Sequence, residues 1–115
     1  MFHQDDLALG LWDAFPVAAG HALIVPRRHV ASWFEITEAE RIALMRGTDA
    51  ARAAILARFP ADGFTIGVND GAAAGQTVSH LHLHVIPRVR GDVTDPRGGV
   101  RWVIPDKAAY WSPSR

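Results

Sequence analysis

His80, Leu81, His82, Leu83 and His84 alternate imidazole with isobutyl side chains, and few backbone conformations make sense of that pattern. Successive side chains of a β-strand point to opposite faces. The spacing therefore predicts a strand over residues 78–86, with His80, His82 and His84 on one face and Leu81, Leu83 and Val85 on the other. The apolar face suits burial in a core. The other face then carries a row of imidazoles, the side chains best suited to proton transfer, nucleophilic attack or metal ligation near neutral pH. Three of the chain's six histidines lie here. Packing alone gives no reason for such a cluster.

Two chemistries fit the row. Parallel imidazoles on a strand can ligate zinc, iron or copper. Alternatively, one histidine is a nucleophile and its neighbours set its tautomer and charge. A catalytic metal site normally draws a fourth ligand from elsewhere, but the chain has no cysteine and no H-E-x-x-H or paired-cysteine spacing. On spacing alone both chemistries stay open.

At 115 residues the chain is expected to form a single domain, 1–115, with no room for a second core. Nearly half the residues are hydrophobic (49%), yet no apolar run approaches the length needed to span a bilayer. The N-terminus lacks the basic-then-apolar pattern of a signal peptide. Zero cysteines exclude disulfides and fit a cytoplasmic protein. The formal net charge is zero and the charges are interspersed, which argues against a nucleic-acid polymer or a membrane as partner.

The order of elements is α+β. Residues 7–12 and 21–25 read as strands joined by a turn-rich segment, which suggests a hairpin. Thr37 with Glu40 is a capping-box pattern opening an alanine-rich helix to about Phe59. Its inward face is expected from Ile42, Met45, Arg52, Ile55, Leu56 and Phe59. Residues 64–68 form a third strand, followed by a glycine-alanine loop and the histidine strand. Residues 102–104 are expected to add one more short strand.

Strand parity puts His21 with Leu23 on one face, and Leu11 with Asp13 on one face. If that hairpin lies beside the histidine strand, an apolar pair, a carboxylate and a fourth histidine meet. Such a mix suits a nucleotide: an apolar slot for the base, a carboxylate for ribose, imidazoles at phosphate. Gly71 and Gly75 let the preceding loop turn sharply. Asn69, Gln76, Thr77 and Ser79 place neutral donors beside it, as a phosphate in transfer requires. The loop is not a Walker loop, having neither its lysine nor its spacing.

The stretch GQTVSHLHLHVIPR (residues 75–88) resembles the signature of the histidine-triad family, and WDAFPVAAGHALIVPRRHV (residues 12–30) resembles that family's first hairpin. Asn69, Asp70 and Gly71 stand where the family places a polar residue before its glycine loop. The GQTV prefix and the Pro87, Arg88, Gly91, Asp92 continuation are most similar to the fragile-histidine-triad branch, which hydrolyses dinucleoside polyphosphates. The resemblance implies a HIT-like α+β fold, an antiparallel sheet of about five strands with one main helix packed on it. It implies that His82 attacks the α-phosphorus to give a nucleotidyl-histidine, which water cleaves to release a nucleoside monophosphate. His80 and His84 flank it, and His84 with His21 contacts phosphate or leaving group. Leu11 and Leu23 match the base slot, Asp13 the ribose contact, and Asn69, Gln76 and Thr77 the phosphate contacts. No tightly bound cofactor or metal is implied, and magnesium enters only with the polyphosphate substrate. The expected partners are an adenine nucleotide and a second copy of the chain. Unpaired sheet edges and the large aromatics Trp102, Tyr110 and Trp111 also favour a homodimer. Three other functions fit these residues: a purine nucleoside phosphoramidase, a non-catalytic nucleotide sensor, and a metal-dependent oxygenase or hydrolase.

Overall fold

The hairpin forms as β2 (Ala8–Trp12) and β3 (Ala22–Pro26) in a computed structural model that describes residues 1–113. These strands lie within a five-stranded antiparallel sheet with β1 (His3–Gln4), β4 (Gly63–Val68) and β5 (Leu83–Arg88), in the order β1-β2-β3-β5-β4. Alternation sets the faces. Ala22 and Ile24 of β3, with Leu83 and Val85 of β5, are buried on one side, while Leu23, His84 and Ile86 are half-buried on the other.

The helix α1 (Glu38–Leu56) covers the apolar face and begins with the predicted capping box: Thr37 Oγ1 accepts from the Glu40 amide and Glu40 Oε1 from the Thr37 amide. Glu40 is itself buried and receives the Arg28 guanidinium at 2.8 and 3.2 Å. Those contacts, Arg28 first and the Thr37 amide second, pull the Glu40 carboxyl down to about 2. The start of α1 is thereby tied to the end of β3.

The inward face of α1 matches the expected one at Ile55, with Phe59 just beyond the helix also packed on the core, and differs elsewhere. Its buried positions are Glu40, Ala43, Leu44, Gly47, Ala51 and Ile55, whereas Ile42, Met45 and Leu56 are exposed. The reason is close approach: a β-carbon at Gly47 would lie 2.5 Å from Ile24 Cγ2. A helix packed this tightly needs small residues at Ala43, Gly47 and Ala51, between the large buried Leu44 and Ile55, and a search for large apolar side chains alone misses them.

Two strand expectations also shift. Pairing in the histidine segment begins only at Leu83, so His80 and His82 precede β5 in an extended lead-in. Pro26 has no N–H to prolong the β3–β5 ladder, and its carbonyl is taken by the His80 side chain. The lead-in is held instead by the Leu81 amide, which donates to the Val30 carbonyl at 2.7 Å, and Leu81 is fully buried. Residues 102–104 form no strand. Gly98 and Gly99, both at positive φ, lead into a 3-10 turn, Gly99–Val103, followed by α2 (Pro105–Ala108). The fifth strand is β1, at the opposite edge.

Candidate active site

Register builds the site. Leu11 pairs with Leu23, Leu23 with His84, and His84 with Gly67. Directly opposed residues in an antiparallel sheet share a face, so Leu11, Leu23, His84 and Gly67 form one row on the side away from α1. His21, two residues before Leu23, joins that face. The Asp13 amide donates to the His21 carbonyl at 2.9 Å, which brings the Asp13 carboxylate to the same place. The parity expected of the hairpin is the parity observed.

Hydrogen bonds then assign the imidazole tautomers. His82 Nδ1 lies 2.9 Å from the His80 carbonyl oxygen, so Nδ1 carries the proton and Nε2 keeps an unshared lone pair. His80 Nε2 donates to the Pro26 carbonyl at 2.7 Å. On His21 the Val17 amide donates to Nδ1 at 3.1 Å, which leaves the proton on Nε2. That Nε2 faces His84 Nδ1 at 2.9 Å and Asp13 Oδ2 at 3.4 Å. With His84 Nδ1 accepting, neutral His84 carries its proton on Nε2. Burial pushes the His21 imidazole below its ordinary value, against the Asp13 charge. Burial likewise lowers His84, reinforced by His82 and His21 and opposed by Asp13. Both shifts favour the neutral form of the ring. The site presents a bare nitrogen on His82 beside an N–H on His84, their rings edge to face at 5.0 Å.

The preceding loop is rigidly braced. Gly71 and Gly75 adopt φ of 91° and 92°, closed to most side chains. Gln76 Oε1 accepts from the Gly71 amide, and its Nε2 donates to the carbonyls of Ala31 and Val78. Gln76, expected as a phosphate contact, thus has both amide hydrogens committed within the fold and shapes the loop. Asp70 accepts from Ser32 Oγ and from the Trp33 amide. Thr77 is exposed, and the backbone N–H groups of Thr77, Val78 and Ser79 have no partner among the described residues. Asn69 lines a cavity with His21 and His84, and its side chain makes no hydrogen bond among the described residues.

Two contributors escape a strand-based reading. His29 is exposed and sets its ring edge to face with His80 at 5.2 Å, but it lies beyond β3, where alternation carries no information. Val17 acts through its backbone amide, which no side-chain pattern reveals. Among the described residues one group offers metal-ligand atoms close together: Asp13, His21 and His84, within 4.8 Å of one another. The tautomers above already join His21 to His84.

The HIT domain profile matches residues 1–91. The chain belongs to the HIT domain family. Among HIT relatives, the Schizosaccharomyces pombe asymmetrical bis(5'-nucleosyl)-tetraphosphatase is 33% identical over 95 residues, covering 83% of this chain and 52% of that protein. A bis(5'-adenosyl)-triphosphatase from Dictyostelium discoideum is 35% identical over 92 residues, covering 80% and 62%. The chain thus spans between half and two-thirds of the length of these relatives. A zinc-bound histidine-triad protein from Mycobacterium smegmatis superimposes with a TM-score of 0.73 at 37% identity, covering 82% of this chain and 68% of that one.

Proposed function

We propose that this HIT domain hydrolyses dinucleoside polyphosphates at the α-phosphate through a nucleotidyl-His82 intermediate. The observation that carries this reading is His82 Nδ1–H held by the His80 carbonyl, which leaves Nε2 as a lone pair on a face shaped for a nucleotide. Leu11 and Leu23 receive the base and Asp13 the ribose hydroxyls. Asn69, Thr77 and the unpartnered loop amides donate to the non-bridging phosphate oxygens. His82 Nε2 attacks phosphorus in line, a P–N bond forms, and the bridging P–O bond breaks with its electrons on the departing nucleotide. The His84 N–H, oriented by His21, donates to the leaving oxygen. Water then attacks the phosphoramidate, its proton passes to the His84 Nε2 left bare by the first step, and the P–N pair returns to His82. Two inversions give overall retention at phosphorus.

Its test is a panel of diadenosine polyphosphates beside adenosine 5'-phosphoramidate. Release of AMP is expected, with kcat/KM higher for a diadenosine substrate. Turnover of the phosphoramidate alone reassigns the leaving group, and no turnover of either makes the domain a nucleotide binder.

No tightly held transition metal takes part in this mechanism, since a metal on Asp13, His21 and His84 would displace the proton that orients His84. Elemental analysis of the purified protein is expected to find less than one metal per chain. A stoichiometric metal that restores activity after chelation contradicts the histidine nucleophile. Stimulation by magnesium does not, because magnesium can act on the polyphosphate.

We also propose a homodimer. β1 and β4 are sheet edges, and Ile66 on β4, Trp102 and Tyr110 are 48%, 43% and 62% exposed in one protomer. Light scattering at micromolar concentration should give twice the chain mass; a monomer contradicts it.

A further inference from the structure

The row Leu11, Leu23, His84, Gly67 continues past the catalytic histidine, and its far end is not explained by the transferred nucleotide. There a cavity of about 340 Å³ opens between β4, β5 and the 3-10 turn Gly99–Val103. Its floor includes His84, Gly67 and Asn69, and its far wall carries Val100 and Val103. We propose that this cavity seats the leaving nucleoside of the substrate, so that the C-terminal turn makes the domain selective for a second base. The proposal rests on the hydrolase reading above.

Three observations support the seat. First, Gly67 opposes His84 within a strand and is not at positive φ, so the backbone does not require glycine there. A β-carbon at this position would meet nothing within 4 Å. Glycine weakens a strand interior, and a common reason for keeping one is close approach of a ligand. Second, the wall is firmly built although it lies beyond the 1–91 match to the HIT family. Arg101 donates to the carbonyls of Ala108 and Lys107 at 3.0 and 2.7 Å and stacks on Tyr110. Trp102 Nε1 donates to the Arg97 carbonyl at 2.7 Å, and Arg97 stacks on Trp111. Yet Val100 and Val103 themselves are 62% and 76% exposed, apolar side chains on a hydrogen-bonded turn that no other described residue covers. Third, among the described residues no Lys, Arg, Asp or Glu lines the cavity. An inorganic anion finds no cation there, and ammonia or a small amine leaves the valines wet. A neutral base with its sugar satisfies the wall, and the volume lies within the range of small-ligand pockets.

The test compares two substrates with the same transferred nucleotide and different leaving groups, diadenosine triphosphate and adenosine 5'-phosphoramidate. The variants are Val100→Ser/Val103→Ser, at exposed positions where folding is not at risk, and Gly67→Val, which fills the floor with a strand-favouring side chain. In both, the ratio of kcat/KM for diadenosine triphosphate to that for the phosphoramidate is expected to fall about tenfold or more. An unchanged ratio in the serine variant, with wild type active on both substrates, overturns the seat alone. A wild type inactive on diadenosine triphosphate overturns the hydrolase reading and the seat with it.

Discussion

Replacing His82 with Asn is expected to leave a folded, nucleotide-binding protein whose turnover is roughly 10⁴-fold slower or worse. The asparagine amide fills part of the imidazole's space, and its neighbours Leu81 and Leu83 stay buried, so the core is untouched. What disappears is the Nε2 lone pair. The neighbouring rings are already fixed in other roles: His80 by its Nε2–H bond to the Pro26 carbonyl, and His84 by its Nδ1 bond to His21. His84 Nε2 holds a proton for the leaving group. A His82→Gly variant opens the same space, and added imidazole should restore part of the rate. Near-normal turnover by the Asn variant, measured as AMP release, would show that water or a metal-bound hydroxide attacks phosphorus directly.

Replacing Gly47 with Val is expected to destabilise the domain by more than about 3 kcal/mol, a large share of the total stability of a small domain. The first β-carbon alone would sit 2.5 Å from Ile24 Cγ2, and Ile24 is a fully buried, β-branched residue fixed in β3. Valine adds two methyl groups to that clash and brings little helix propensity in compensation. Gly47→Ala gains up to about 1 kcal/mol of helix propensity but still forces the seam apart, so it too should destabilise, by less. Chemical denaturation read by circular dichroism measures both. Wild-type stability in the Val variant would mean that α1 packs less closely on the sheet. The function depends on this seam because Ile24 lies between Leu23 and Val25 and pairs with Leu83, next to His84.

Where one residue type acts through its own periodicity, the sequence was readable. Alternation gave the faces of β2, β3 and β5, and Thr37 with Glu40 marked the start of α1 at the right residue. The His21–Leu23 and Leu11–Asp13 parities predicted a shared face that the register then joined to His84. Effects that depend on a distant backbone atom were not readable. Pro26, which has no N–H to give, ends the β3–β5 ladder and its carbonyl captures His80, so two of the three triad histidines lie outside the strand proper. On α1, Ala43, Gly47 and Ala51 carry no signal of size, because close approach rather than side-chain volume buries them between Leu44 and Ile55. Gln76 offered donors by type, but only the folded loop shows that both are committed to carbonyls. Residues 102–104 suggested a strand, whereas two glycines at positive φ turn the chain there into a 3-10 turn, and Arg97 and Arg101 stack on Trp111 and Tyr110.

The central claim is a covalent bond between His82 and the transferred nucleotide. Wild-type protein quenched in acid-free conditions during turnover of a diadenosine polyphosphate, then digested and analysed by mass spectrometry, tests it directly. The account predicts a nucleotidyl adduct on the peptide containing His82, with fragmentation placing it on that residue and no adduct in His82→Asn. An adduct on His80 or His84, or none under conditions that trap a known phosphoramidate, would contradict it.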